Sequence, residues 1–197
     1  MIIPTEKKLK KRDEYDYYPT PIGLCRQALT ILPSSFYPFS VFDPGCGNGV
    51  WGEAVRELYR TCFIGGIELR KVEINPAFNY LFAEQDYLED YWNPWERPQY
   101  DLIIGNPPYK LAENFIDRSL ELVNDNGNIL FLFRLAFLES LKRYNKYWTQ
   151  NKPVKVAVLV NRISFTGDKK SDDTAYALYL FKKNNIENTE LTWLKWR

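Results

Sequence analysis

Short apolar runs alternate along the chain with stretches in which apolar residues recur at helical spacing. The helical spacing predicts helices at residues 22–31, 50–59, 75–81 and 112–123, and a last one that ends near residue 144. The apolar runs predict strands at residues 40–43, 62–67, 101–105, 128–133, 154–160 and 176–181. This alternation indicates an α/β fold with a mostly parallel sheet and helices on both faces. Because no helix separates the last two strands, we expect an antiparallel pair at the sheet edge.

Length and charge indicate one globular domain. The chain has 197 residues, enough for a single domain with a substantial core. We expect residues 1–14, which are rich in basic side chains, to form a flexible lead-in, and residues 15–197 to form the domain. The net charge of +1 provides no overall field that would recruit nucleic acid, although a local basic patch could still do so.

Composition also limits the expected cellular location of the protein and the classes of catalytic site that it can contain. No apolar run approaches the roughly 18 residues of a membrane span, and the N-terminus lacks a signal-peptide core, so we expect a cytoplasmic protein without membrane contact. Cys25, Cys46 and Cys62 have no paired spacing for a metal and fit reduced thiols. The chain contains no His, which excludes Ser–His and Cys–His nucleophilic catalysis and the usual zinc hydrolase sites.

A glycine-rich turn between the first predicted strand and its helix indicates a ligand site. Residues 43–49 read Asp-Pro-Gly-Cys-Gly-Asn-Gly, and glycines let a backbone approach a ligand closely at the carboxyl edge of a sheet. Residues 47–52 also match the dinucleotide pattern G-x-G-x-x-G, which leaves a nicotinamide cofactor as an alternative. Asp43 favours a positively charged ligand, because it would repel a pyrophosphate. Glu68 ends the second strand and is expected to accept ribose hydroxyls, and Asp86 is a candidate for an adenine amine.

The second candidate site is the tetrapeptide Asn106-Pro107-Pro108-Tyr109, directly after the strand at residues 101–105. Two prolines supply no N–H, so their loop cannot continue a sheet ladder and its carbonyls remain acceptors. The Asn106 oxygen beside the Pro107 carbonyl forms a pair of acceptors for a planar NH2 group, and Tyr109 can lie against the ring that carries it. Taken alone, the tetrapeptide would fit equally well a strand that ends at a proline-rich turn.

Taken together, these motifs resemble the S-adenosylmethionine-dependent adenine-N6 DNA methyltransferases, and the small bacteriophage-type enzymes most of all. The resemblance is carried, in chain order, by Tyr18-Pro19-Thr20-Pro21, residues 43–49, Glu68, Asp86, residues 106–109, residues 135–140 and residues 162–168. It spans most of residues 15–182. It implies a Rossmann-like class I methyltransferase sheet, S-adenosylmethionine as the cofactor and DNA as the partner. A phage-encoded enzyme acting in the host cytoplasm fits the same resemblance.

The resemblance also implies roles for individual residues. Those that would bind the cofactor are Tyr18, Thr20, Pro21, Asp43, Pro44, Gly45, Cys46, Gly47, Glu68, Asp86 and Asn106. Those that would form the catalytic clamp on the target amine are Asn106, Pro107, Pro108 and Tyr109. Between the two glycines, Cys46 is interpreted as a small spacer. No metal ligand set is expected.

Basic and aromatic residues of the second half supply candidate contacts to nucleic acid. We expect Arg134, Arg162 and Phe165 to bind the substrate together with Tyr109, although a solvated charged surface is an equal alternative for any single residue. The loop at residues 164–174 is a candidate lid or recognition element. The chain has no room for a separate target-recognition domain, so we expect low specificity, specificity within residues 134–174, or a partner protein or homodimer that confers it.

Four alternatives to an adenine-N6 DNA methyltransferase remain at this point. Adenine in structured RNA is the nearest, because similar loops serve RNA methyltransferases. A protein-glutamine amide methyltransferase would need a helical substrate domain ahead of residue 43, where too few residues are present. A nicotinamide-dependent oxidoreductase does not need residues 106–109. A non-catalytic cofactor-binding scaffold is disfavoured because the cofactor and catalytic positions both look intact.

Overall fold

A computed structural model of the protein describes residues 18–89, 98–165 and 173–197. The basic segment at residues 1–14 lies outside these ranges, and so do residues 166–172 of the predicted lid loop. Strands of the described chain are β1 Ser40–Pro44, β2 Phe63–Glu68, β3 Tyr80–Ala83, β4 Tyr100–Gly105, β5 Val123–Arg134, β6 Lys155–Leu159, β7 Tyr176–Phe181 and β8 Glu190–Leu194. Its longer helices are α1 Ile22–Ala28, α2 Val50–Leu58 and α3 Ala112–Leu122.

The strands form one sheet in the order β3-β2-β1-β4-β5-β7-β6-β8. The first five strands of this order are parallel to one another, and β7 runs antiparallel to both β5 and β6. The predicted mostly parallel sheet with an antiparallel strand is therefore confirmed. The predicted position of the antiparallel pair at the sheet edge is wrong, because the unpredicted strand β8 pairs parallel to β6 and forms the edge itself.

The helix predicted at residues 75–81 is also wrong, and the chain there forms an irregular segment that leads into β3. Local side-chain hydrogen bonds compete with a helix at this point. Asn75 Oδ1 accepts the Ala77 N–H at 3.0 Å, and Asn79 Oδ1 accepts the N–H of Ile64 in β2 at 2.7 Å. The Asn75 bond holds the segment in a local turn and the Asn79 bond aligns it with β2, so that Tyr80 pairs with Gly65 and β3 begins.

The helix expected to end near residue 144 is divided into three short pieces. A 3-10 turn covers Leu135–Leu138, one helical turn covers Leu141–Arg143, and a π-helical turn covers Tyr144–Trp148. Ser140 interrupts the run, because its Oγ accepts the Arg143 N–H at 3.3 Å and starts a new turn. The break places Leu135–Leu138 beside the carboxyl end of β5.

Apolar side chains on the two faces of the sheet form two cores. Val41 and Leu102 pack with helices α1 and α2 on one face, whereas Phe42 and Ile103 pack with α3 on the other. Adjacent strand residues point to opposite faces, so these continuous apolar runs supply both cores at once. No helix in the described ranges combines the length and apolar character that a membrane crossing would need.

Candidate functional site

The carboxyl ends of β1, β2 and β4 meet at one edge of the sheet. After β1 the chain builds β2 and β3 on one side and then crosses to β4 on the other, so the space above β1 and β4 is a topological switch point, where α/β sheets bind ligands. A cleft opens there, with about 840 Å³ of empty space when its solvent-open part is counted. Predicted cofactor residues that line it are Tyr18, Thr20, Gly45, Cys46, Gly47, Glu68, Asp86 and Asn106, and Pro108 lines it too.

Three predicted cofactor residues, Pro21, Asp43 and Pro44, do not line this cleft, and Asp43 is buried directly before the glycine turn that does. The predicted clamp is divided in the same way, because Asn106 and Pro108 line the cleft whereas Pro107 and Tyr109 do not. The structure thus brings the glycine turn and the beginning of the Asn-Pro-Pro-Tyr loop to one space.

The glycine turn depends on backbone angles that other residues rarely adopt. Gly45, Gly47 and Gly49 have positive φ values of 72°, 57° and 83°. The N–H groups of Gly45 and Cys46 both donate to the Ile67 carbonyl, at 2.8 and 3.0 Å. These bonds curl the turn back over the end of β2, which brings it within reach of Glu68.

Glu68 connects the glycine turn to the next part of the cleft wall. Its side chain is buried, and its Oε2 accepts the Gly47 N–H at 2.7 Å. Its Oε1 accepts both the backbone N–H and the Nε of Arg70, at 3.1 and 2.9 Å. Sequence reasoning did not single out Arg70, although a cation two positions after a strand-end acid was a usable signal. The three donors fix the Glu68 carboxylate at the cleft surface.

Asp43 is a buried carboxylate that has no hydrogen-bond partner in the described part of the chain. It is 1% exposed, and both of its oxygens lack a donor there. Burial, followed by the negative charge of Glu68, raises the pKa of Asp43 well above its ordinary value. A side chain at Gly105 would meet it, since a Cβ there would lie 2.7 Å from Asp43 Oδ1. A buried acceptor of this kind under a ligand cleft suits a cation that arrives with the ligand.

The Asn106 amide is oriented by the polypeptide itself. Its Nδ2 donates to the Tyr18 carbonyl at 3.0 Å, while its buried Oδ1 has no partner among the described residues. The Pro108 carbonyl accepts the Leu111 N–H at 2.9 Å and starts the 3-10 turn Tyr109–Leu111. The Pro107 carbonyl accepts no hydrogen bond in the described ranges. Two adjacent oxygen acceptors are thus left without donors.

Tyr109 belongs to an aromatic cluster beside these acceptors. Its ring is nearly parallel to that of Tyr18, at 18° and 6.0 Å between centroids, and lies 5.6 Å from Tyr176. Phe165 contacts both Tyr18 and Tyr176, at 5.3 and 5.5 Å. The Tyr109 hydroxyl approaches Asn106 and Tyr176 without reaching hydrogen-bond geometry, and burial raises its pKa well above the ordinary value. Sequence reasoning missed Tyr176, because only the folded sheet brings the start of β7 to this point.

Of the remaining predicted substrate residues, Arg134 and Phe165 reach the aromatic cluster around Tyr109, whereas Arg162 does not line either cavity. The Arg134 guanidinium carbon lies 5.1 Å from the centre of the Tyr109 ring and lines a second cavity on that side. Arg162 is exposed and lines neither this cavity nor the cleft. Phe165 reaches the site through its contact with Tyr18.

Comparison with known proteins gives distant relatives. No family model matches the chain. It is 25% identical over 218 aligned positions to the Type II methyltransferase M.BstVI of Geobacillus stearothermophilus, covering 77% of this chain and 38% of that protein. It is 27% identical over 133 positions to the Type II methyltransferase M.CvrRI of Paramecium bursaria Chlorella virus XZ-6E, covering 64% of this chain and 34% of that protein. The chain therefore spans little more than a third of the length of these relatives.

Solved structures share the fold at low sequence identity. A Listeria monocytogenes protein assigned to the class I S-adenosylmethionine-dependent methyltransferases matches with a TM-score of 0.64 and 15% identity, over 89% of this chain and 65% of that one. An O-methyltransferase of a Brevibacillus brevis polyketide synthase, in complex with S-adenosyl-L-homocysteine, matches with a TM-score of 0.57 and 13% identity, over 82% and 71%. The chain has the Rossmann-like fold of the class I methyltransferases.

Proposed function

We propose that this chain is an S-adenosylmethionine-dependent methyltransferase that acts on the exocyclic N6 of adenine in DNA. The observation that carries the proposal is the Asn106 amide, whose donor is bound to Tyr18 while its acceptor has no donor among the residues that the structure describes. An acceptor fixed in this way suits an incoming NH2 group and has nothing to offer a carbonyl or a phosphate. The relatives named Type II methyltransferases support the same reaction class.

The cleft fits the proposed cofactor in its charges as well as in its position. Asp43 offers a buried carboxylate without a donor, which suits the positively charged methionine part of the molecule. Glu68 is held at the surface by Gly47 and Arg70, where it can accept ribose hydroxyls, and Asp86 lines the cleft beyond it. When bound, S-adenosylmethionine supplies an electrophilic methyl group on a sulfonium.

The chain's own contribution to the reaction is positioning. Asn106 Oδ1 and the Pro107 carbonyl accept the two N–H bonds of the target amine, which draws the nitrogen lone pair out of conjugation with the ring. This lone pair would accept the methyl group that the bound cofactor supplies with loss of its thioether, and the resulting ammonium would lose its proton to water. Near-attack positioning of this kind is worth roughly 7–11 kcal/mol. Tyr109 supplies an aromatic surface for the base, a contact worth roughly 1–3 kcal/mol.

The test is a labelled methyl-transfer assay on DNA, RNA and protein, with the methylated product identified chemically. We expect N6-methyladenine in DNA from the wild-type protein. The variant Asn106→Ala should lose at least about 100-fold in turnover, as enzymes do on losing one transition-state hydrogen bond, while its cofactor affinity stays near wild type. Near-normal turnover in this variant would contradict the clamp.

A matched control is Asn126→Ala, because Asn126 is an exposed residue of the same type on the opposite edge of the sheet. This variant should keep full turnover. If the protein methylates RNA or a glutamine amide and not DNA, the clamp acts on that substrate and the proposal of a DNA substrate is wrong.

A further inference from the structure

A second cavity lies next to the Asn-Pro-Pro-Tyr loop and shares no lining residue with the proposed cofactor cleft. It contains about 700 Å³ of empty space when its solvent-open part is counted. Three aromatic side chains and three cations are among the residues that line it: Tyr109, Phe133, Phe137, Lys110, Arg134 and Arg143. Tyr109 belongs both to this lining and to the proposed clamp, so an occupant of the cavity would lie beside a base bound at the clamp.

The fold holds Arg134 in place but leaves one of its hydrogen-bond donors without an acceptor in the described ranges. Its backbone pairs with Tyr176 at the end of β5, and its carbonyl accepts the Tyr179 hydroxyl at 3.2 Å. Its buried Nε has no hydrogen-bond partner in the described ranges of the chain. A buried guanidinium nitrogen without an acceptor is costly unless a ligand supplies one.

Arg143 differs, since its donors are already used to build the wall. Its Nε donates to the Phe137 carbonyl at 2.7 Å, and its Nη2 donates to the Glu139 carbonyl at 2.7 Å. Its guanidinium lies 4.7 Å from the centre of the Phe137 ring, which fixes that ring in the cavity wall. Arg143 therefore shapes the cavity, and Arg134 is the cation with an unused donor.

The charge around the cavity is positive. Lys110, Arg134 and Arg143 line it. No acidic residue of the described ranges lines it, and Glu113, which pairs with the lining residue Arg143 at 3.4 Å, also pairs with Lys142 at 2.8 Å, so its charge is already balanced. A cavity lined by cations in this way attracts an anion. A guanidinium donor matches the oxygens of a phosphodiester in geometry as well as in charge.

We propose that this second cavity binds the phosphodiester group next to the target adenine, with Arg134 as its hydrogen-bond donor. The inference rests on the proposed function and adds a subsite to it. A backbone phosphate held beside Tyr109 would anchor the strand while the adenine turns toward Asn106. Such an anchor acts on any sequence, so it provides affinity without base specificity.

The test is binding, measured by fluorescence anisotropy, of a single-stranded oligodeoxynucleotide with one adenine. In a series of otherwise identical oligonucleotides, each phosphate in turn is replaced by an uncharged methylphosphonate. We expect Arg134→Gln to weaken binding about tenfold and to lower the slope of log affinity against log salt by about 0.7, the loss of one phosphate contact. Arg60→Gln is the control, because Arg60 is exposed beside β2 at the opposite edge of the sheet. This control should change neither quantity.

The methylphosphonate series locates the contact. When the methylphosphonate replaces one phosphate beside the adenine, the affinity of the wild-type protein for the oligonucleotide should fall, whereas the affinity of Arg134→Gln should not change. Three results would each overturn the subsite. The losses from the methylphosphonate and from Arg134→Gln could add at every position, Arg134→Gln could bind with unchanged affinity, or the wild-type protein could fail to bind DNA. If the expected pattern appears but no N6-methyladenine forms, the proposed reaction fails while the phosphate subsite stands. Preserved cofactor affinity of Arg134→Gln shows that the variant is folded.

Discussion

Removing the charge of Asp43 should stabilise the cofactor-free protein and weaken its ligand binding at the same time. Asp43 is almost fully buried, and neither of its oxygens has a hydrogen-bond donor in the described ranges. In the cofactor-free state, Asp43 must either keep its charge in this buried site or take up a proton that the unfolded chain has lost, and above the ordinary aspartate pKa either cost opposes folding. The variant Asp43→Asn keeps the shape and removes the charge.

The size of the effect follows from the burial. An unsatisfied buried polar group costs about 1–3 kcal/mol, and a charged one costs more. We expect Asp43→Asn to raise the free energy of unfolding by about 2 kcal/mol at neutral pH, because the amide is neutral but still lacks partners. For a domain of this length, that change corresponds to a rise in Tm of about 4–8 °C.

The stabilisation should depend on pH with a defined sign. The pKa of Asp43 is raised in the folded protein, first by burial and then by Glu68. Above about pH 4 the unfolded chain loses this proton while the folded chain retains it, so the wild-type protein loses stability until the pH passes the raised pKa. The Tm difference between Asp43→Asn and wild type should therefore vanish in acid and widen toward neutral pH.

Cofactor binding should respond in the opposite direction. A cation placed over Asp43 lowers its pKa, so binding should release a proton, and the observed binding enthalpy should depend on the ionisation enthalpy of the buffer. Asp43→Asn should remove this buffer dependence and weaken S-adenosylmethionine binding by at least about tenfold, or about 1.4 kcal/mol. Titration calorimetry in two buffers measures both quantities.

The matched control is Asp125→Asn, because the Asp125 side chain is 94% exposed and forms only a 3.4 Å ion pair with Lys183. Its Tm and cofactor affinity should stay within experimental error of wild type. The reasoning is refuted if Asp43→Asn melts at or below the wild-type temperature at neutral pH and binds the cofactor equally well.

Two further substitutions test the walls of the cleft. Gly105→Ala would place a Cβ 2.7 Å from Asp43 Oδ1, so we expect cofactor affinity to fall at least about tenfold in titration calorimetry. An unchanged affinity would show that Asp43 can move aside. Glu68→Gln would weaken the bonds to Gly47 and Arg70, and we expect a loss of about 1–2 kcal/mol in thermal unfolding together with weaker cofactor binding. Unfolding that changes without any change in binding would assign Glu68 a purely structural role.

The fold could be predicted where the sequence pattern is local. Continuous apolar runs located β1, β2, β4 and β7, since strands buried on both faces leave no room for polar residues. The prediction failed at β3, because bonds from Asn75 and Asn79 to distant backbone groups decide that segment. It also failed at β8, which is half exposed and pairs with a strand some 35 residues earlier.

The candidate site could be predicted to the extent that its residues follow strand ends. The glycine turn, Glu68 and the start of the Asn-Pro-Pro-Tyr loop meet as expected, because parallel strands place their carboxyl ends at one edge. The sequence could not indicate that Tyr176 and Arg134 both contact Tyr109, since β5 and β7 meet only through antiparallel pairing. The second cavity depends on the same pairing and has no signature in the linear sequence.

The hydrogen bond between Asn106 Nδ2 and the Tyr18 carbonyl links the Asn-Pro-Pro-Tyr loop to the Tyr-Pro-Thr-Pro segment, 88 positions earlier in the chain. An amide side chain can ordinarily rotate by half a turn and exchange its oxygen for its nitrogen. Here that exchange would point an oxygen at a carbonyl, so the segment around Tyr18 fixes the orientation of the asparagine for which we propose a catalytic role. Any change that displaces Tyr18 should therefore impair chemistry at a loop it does not belong to, and an aspartate at position 106 would be repelled by the same carbonyl.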